Sequence, residues 1–266
     1  MDAALLTPPF DAAALAAAST AGLKSSLLKQ VEGRDGDPMG KKVRFANEIL
    51  MPLFDELARR NPTPDLTQQI PLLQGIWISH WSTNPFQDIL PGRVHSESYQ
   101  IFDDSGYYAN LARYKPGRKA PLLSWLSRWL LSYDLLIMQS YAVRSQPPND
   151  PDQPSAPGPD YWDIQNVCIQ QSLRLGSRAF SPGTAQDWFD QAVAKYQQQP
   201  GAAAQAQSPT AQANATRITS KQYQQIAKAR PQLDNLYIDE SFRLVKTQRE
   251  KNQRPSYTVA VRLDQV

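Results

Sequence analysis

The chain has 266 residues, 41% of them hydrophobic and 20% charged, with a formal net charge of +3. That is enough apolar material for one generous domain, or a domain plus an accessory segment, and too little clustered positive charge for a nucleic-acid surface. One cysteine, Cys168, excludes an internal disulfide and fits a reducing compartment, while two histidines, His80 and His95, are too few for a His-rich metal site.

Residues 1–22 are Ala-rich without a clear apolar stripe and read as a loose tail. They carry Asp2 and Asp11 but no basic residue, unlike a signal or transit peptide. A helical segment follows over 23–60. Leu23, Leu27, Leu28 and Val31 space out a short helix, and Val43, Ala46, Leu50, Phe54 and Leu57 form one side of a longer helix from about Lys41 to Arg60. Pro52 should bend or split that helix, and Asn61-Pro62-Thr63-Pro64 should stop it. The pairs Lys41-Lys42 and Arg59-Arg60 read as solvated surface.

Residues 61–266 read as one β-rich domain. Over Leu73–Ser82 the period changes to two, with Trp77, Ser79 and Trp81 on one side and Ile76, Ile78 and His80 on the other. Tyr99–Phe102 and Gly106–Tyr114 are predicted strands joined by the hairpin turn Asp103-Asp104-Ser105-Gly106. In Leu135–Arg144, the residues Leu135, Ile137, Tyr141 and Val143 face one way. Ile164–Leu175 alternates around Val167 and Ile169 with Trp162 and Ile164 out of step, so a strand with a bulge is expected. Leu236–Lys246 and Tyr257–Leu263 read as a hairpin around a charged loop. Insertions interrupt the strands: a Pro-rich loop at 145–160, a helix at 181–197 and a Gln/Ala-rich stretch expected to be flexible at 198–216. Short strands with tight connections predict an antiparallel barrel or sandwich.

No phosphate-binding, dinucleotide, nucleophile-elbow or metalloprotease motif is present, and Cys168 between Val167 and Ile169 reads as a small core residue. No apolar run reaches the roughly 18 residues of a spanning helix. One segment suits an interface: after Lys115, Arg118 and Lys119, a helix over 121–133 would carry Leu122, Leu123, Trp125, Leu126, Trp129, Leu130 and Tyr133 around most of its circumference. Such a helix lies in a bilayer interface, lids an apolar cavity, or packs on its own domain.

Three stretches resemble the plastid lipid-associated proteins, or fibrillins. They are Leu23-Lys24 with Leu27-Leu28 and Val31; Asn61-Pro62-Thr63-Pro64 followed by Leu72-Leu73-Gln74-Gly75-Ile76-Trp77; and Tyr237-Ile238-Asp239-Glu240-Ser241-Phe242-Arg243-Leu244. They occur in the family's order and bracket residues 23–263, while the middle of the chain and Ser79-His80-Trp81-Ser82 depart from the family pattern. The resemblance implies a mainly β chain with helices (α+β), a lipocalin-like antiparallel β-barrel preceded by the helical segment. It implies non-catalytic binding or sequestration of a lipophilic small molecule, such as a prenylquinone, carotenoid or lipid, without a cofactor. The place implied is the cytoplasmic side of a thylakoid membrane in a cyanobacterium, or its plastid-type equivalent, in peripheral contact with membrane lipid.

In such a barrel Gly75 and Trp77 form the structural motif, with Arg243 stacking on the Trp77 ring or, alternatively, Trp77 meeting the ligand. Ligand-lining candidates are Trp81, Tyr108, Leu111, Ile137, Tyr141 and Val259; membrane-contact candidates are Lys115, Arg118, Lys119, Trp125, Leu126, Trp129 and Leu130. The alternative is an accessory or scaffold protein that docks on a prenyl-lipid biosynthetic or photosynthetic partner through its N-terminal helices. A catalytic barrel using Asp239 or His80 is a third reading.

Overall fold

The computed structural model describes residues 5–85, 92–115, 132–145, 160–174, 179–198, 232–248 and 253–265. Its elements are mixed α+β with antiparallel strands, compatible with a barrel-like fold. The chain divides into two compact units, one of residues 1–73, 77–89 and 233–266, the other of 74–76 and 90–232. The N-terminal helices therefore share a unit with the first and last strands. Residues 146–159 of the Pro-rich loop, 199–216 of the Gln/Ala-rich stretch and 121–131 of the expected helix lie outside the described residues, but Ser132 and Tyr133, expected to end that helix, are extended and open the strand Ser132–Ser145, where Tyr133 pairs with Tyr114.

In the first unit α1 (Ala12–Ala17) occupies part of the expected loose tail, its N-terminus capped by the Asp11 carboxylate. Helices α2 (Thr20–Val31), α3 (Met39–Phe45) and α4 (Met51–Arg59) follow. Between α3 and α4 the backbone widens into a π-turn over Ala46–Leu50, where the Met51 N–H reaches the Ala46 carbonyl. Pro52 has no N–H to continue the regular ladder, so the helix stretches there without breaking. A short helix α5 (Leu66–Leu73) separates the Asn-Pro-Thr-Pro stop from β1 (Gly75–Ser82). Gly75 has φ of +105°, which its lack of a Cβ permits.

The segment read as one strand over 236–246 is two, β6 (Gln232–Ile238) and β7 (Phe242–Gln248), with β8 (Ser256–Arg262) paired antiparallel to both β7 and β1; a 3-10 turn over Leu263–Gln265 follows β8. On one sheet face Trp81, Val259, Leu244, Phe242 and Val261 join Leu23, Leu27, Leu50, Leu53, Phe54 and Leu57 in the core. A register shift between Ser79 and Trp81 places Trp81 on this face, opposite Trp77. Strict alternation would have kept the two indoles together, and the bulge at His80 reverses the parity.

Each of the two basic pairs splits between water and structure. Lys41 and Arg59 are exposed, but Lys42 is buried and donates to the Asp35 carbonyl at 3.0 Å. Arg60 donates to the carbonyls of Leu15, Ala16 and Ala18, which are the open end of α1.

The β6–β7 turn is built around Asp239. Its carboxylate accepts from the Lys24 ammonium of α2 at 2.5 Å, the Tyr237 hydroxyl at 2.7 Å, the Ser241 hydroxyl, and the Ser241 and Phe242 backbone N–H groups. Burial alone would raise this carboxyl, but the hydrogen bonds from Lys24, Ser241 and Tyr237 outweigh it and hold it at about 2. An unfolded Asp titrates near ~4, so the stabilisation is complete above that pH and is lost as pH falls toward 2. It amounts to about 2 kcal/mol. Asp239→Asn is therefore expected to lower the melting temperature at pH 7 and to flatten the decline between pH 5 and pH 2. An unaltered acid slope in the variant would show that this carboxyl is not coupled to folding.

In the second unit β2 (Arg93–Phe102), β3 (Tyr107–Tyr114), β4 (Ser132–Ser145) and β5 (Asp160–Arg174) form an antiparallel sheet in chain order. Helix α6 (Pro182–Gln198) packs across β2–β4. The expected bulge in β5 falls at Val167, between the pairs Met138↔Cys168 and Gln139↔Asn166. The β2–β3 register also shifts between Val94 and Ser98, which hid the first half of β2 from a period-two reading. At the far end a Cβ on Gly92 would lie 2.2 Å from the Lys115 carbonyl oxygen, so only glycine fits this close approach.

Candidate functional site

Apart from Gln74–Ile76, the three stretches that carry the family resemblance meet in the first unit. The Asn61 amide oxygen accepts the Ile238 N–H, tying the Asn-Pro-Thr-Pro loop to β6. From Gln69 of α5 a chain of polar contacts runs through Asn235 to Arg243. Arg243 lies 5.1 Å from the Trp77 ring centre and Arg262 lies 4.7 Å from it. The Trp77 N–H donates to the Leu73 carbonyl, and Arg262 donates to the Leu72 and Glu240 carbonyls. Alternation along the last strand sets Arg262 on the face opposite Tyr257, Val259 and Val261, but nothing in the sequence joins it to Trp77. Through these contacts the cluster acts as a clamp on the unit.

The ligand-lining candidates do not form one set. Trp81 and Val259 pair directly across β1 and β8 and are fully buried in the helix-covered core. Their face is filled by the protein's own side chains. The apolar faces of α2 and α4 are spent in the same core, so a docking partner would meet only their polar sides.

In the second unit, period two separates Leu111 from the rest. Leu111 shares a face with Tyr99, Leu136 and Met138, the side on which Phe180 and α6 pack. Lys115, a membrane-contact candidate, pairs with Glu97 at 3.4 Å; the other six such candidates lie outside the described residues.

Tyr108, Ile137 and Tyr141 do share the opposite face, as the register Tyr108↔Gln139 and Ile137↔Asn110 requires. Four aromatic rings gather at one end of it. Phe102 stacks on Tyr108 at 4.7 Å, Tyr141 meets both edge-on, and Trp162 lies 5.9 Å from Tyr141. Leu135, Ile137 and Ile169 supply aliphatic surface further along. Between these regions runs a ladder of side-chain amides over all four strands. Gln100 donates to Asn110 at 2.9 Å, Asn110 to Gln139 at 3.1 Å, and Gln139 to Asn166 at 2.7 Å. A polar residue on each strand normally marks a solvated face, so the ladder was missed in the sequence. Its signal was that every member has an apolar or aromatic neighbour two positions away on the same strand and face.

Three buried polar atoms on this face have no hydrogen-bond partner among the described residues: Gln100 Oε1, Trp162 Nε1 and Gln171 Nε2. Buried polar groups are rarely left unpaired, and each costs about 1–3 kcal/mol. Gln100 lies three strands from β5, on the order of 14 Å away, so one small polar group cannot serve all three.

Reactive chemistry is sparse. Burial pushes the Cys168 thiol up to about 11, partial desolvation lowers the exposed His80 below its usual range despite Asp35 nearby, and Asp239 is saturated by its own turn and Lys24. Among the described residues no cluster of His, Cys, Asp and Glu suits a metal ion, and no helix is long and apolar enough to cross a membrane. No family model matches the chain, and no curated protein or solved structure matches it either.

Proposed function

We propose that this chain binds a lipophilic small molecule without transforming it, on the face of the β2–β5 sheet that carries Tyr108, Ile137 and Tyr141. The observation that carries the reading is the coexistence there of an aromatic and aliphatic surface with three buried polar atoms that have no partner among the described residues. Apolar area leaving water contributes about 25 cal/mol per Å², and polar groups set at the margins orient the guest. The spread of those atoms suits an extended molecule, such as a prenylquinone, a carotenoid or a lipid, better than a compact one. The fibrillin-like stretches favour a lipocalin-like barrel for the whole chain and a photosynthetic membrane as the place where the ligand is drawn.

Protein purified without detergent and extracted with organic solvent should release such a molecule at close to one per chain, identified by absorbance and mass spectrometry. Tyr108→Asp combined with Ile137→Asp should empty it while leaving the β6–β7 turn and the helical core folded. Extracts free of lipophile, together with no uptake of added lipophile by the purified protein, would refute the assignment.

A further inference from the structure

The amide ladder has a direction. Each side chain gives an N–H to the carbonyl oxygen of the next, from Gln100 through Asn110 and Gln139 to Asn166. Aligned hydrogen bonds polarise one another, so the dipoles add along the row and make its first carbonyl the most electron-rich acceptor. That carbonyl is Gln100 Oε1, which is buried and receives no hydrogen bond among the described residues. It sits on the strand of Phe102, two residues away and on the same face. What completes this position must be a donor. A ketone, quinone, ester or ether oxygen there would set acceptor against acceptor.

We infer that the face selects a lipophile by a hydroxyl group, so that it takes a long-chain phenol, hydroquinone or alcohol in preference to the matching ether or carbonyl compound. This rests on the binding face proposed above and adds a polarity to it. Of a molecule that exists in hydroxyl and carbonyl forms, the face would hold the hydroxyl form more tightly than the carbonyl form.

The test uses para-dodecylphenol and its methyl ether, which share one ring and chain, with 4-dodecylcyclohexanone as a carbonyl compound of the same length, titrated calorimetrically into the full-length protein stripped of lipid. The phenol is expected to bind about tenfold tighter than either, the usual consequence of leaving a buried acceptor unmet. In Gln100→Leu the ratio of phenol to ether affinity should fall to about one, because the acceptor is gone. Equal binding of all three by the unaltered protein, or tighter binding of the ketone, overturns the donor selection while leaving lipophile binding standing. If none of the three binds, the binding face itself is wrong and the selection falls with it.

Discussion

Replacing Asp134 by Asn should destabilise the protein by about 3–5 kcal/mol, because it strips the counter-charge from a guanidinium that is itself out of water. Asp134 is fully buried and takes two bonds from Arg113, at 2.7 and 3.0 Å, with a third from Arg174 at 3.1 Å. Arg113 is 4% exposed, so water cannot replace the lost charge. Glu97, at 2.9 Å, would remain beside it.

The consequence should travel in a defined direction. Glu97 also accepts the Phe180 N–H at 2.8 Å, Tyr99 donates to the Phe180 carbonyl, and Arg113 lies 5.2 Å from the Phe180 ring. This residue leads the chain into α6. Hydrogen exchange in Asp134→Asn is therefore expected to rise first over 180–198, before the strands open. A paired Arg113→Met and Asp134→Leu replacement should recover much of the loss, since buried ion pairs are often exchangeable for apolar packing. Stability within about 1 kcal/mol of the parent in denaturant melts of Asp134→Asn would show that the pair is solvated.

How much of this was legible depended on whether a local signal agreed with the tertiary one. The Asp103–Gly106 turn and the strand of Tyr257, Val259 and Val261 were plain, because turn chemistry and period two are local. The β5 bulge was legible too, since Trp162 and Ile164 fall out of step with Ile169. The bulge at His80 was not, because Trp77 and Trp81 four residues apart fit simple alternation equally well. Helix α5 was hidden behind the Asn61–Pro64 stop, and Pro71 within it masks the helical pattern further. At the binding face, parity put Tyr108, Ile137 and Tyr141 together once strand register was known. Leu111 shows the limit of choosing apolar residues without counting, for an odd separation along one strand turns a side chain to the other face. Lys42 and Arg60 show another limit: spacing marks a basic residue as surface, and only packing reveals which one reaches inward.

Trp77→Ala should lower stability by about 3–5 kcal/mol through the cavity left by a fully buried indole. The loss has parts that substitutions can separate. Trp77→Phe retains a ring near Arg243 and Arg262 but removes the 2.8 Å bond to the Leu73 carbonyl, which is worth about 1 kcal/mol, so it should cost clearly less than Ala. Each guanidinium contact with the ring contributes about 0.5–2 kcal/mol, and Arg243, 1% exposed, loses more by truncation of the ring than Arg262 does. Arg262 is partly exposed and retains its bonds to the Leu72 and Glu240 carbonyls, whereas Arg243 is out of water, so a lost ring contact cannot be replaced there by solvent. In a double-mutant cycle the coupling of Trp77 to Arg243 should therefore exceed its coupling to Arg262. If equilibrium unfolding gives additive losses for Trp77→Ala and Arg243→Met, the ring and the guanidinium are neighbours without an energetic bond. The Gly-x-Trp motif would then owe its place to volume alone.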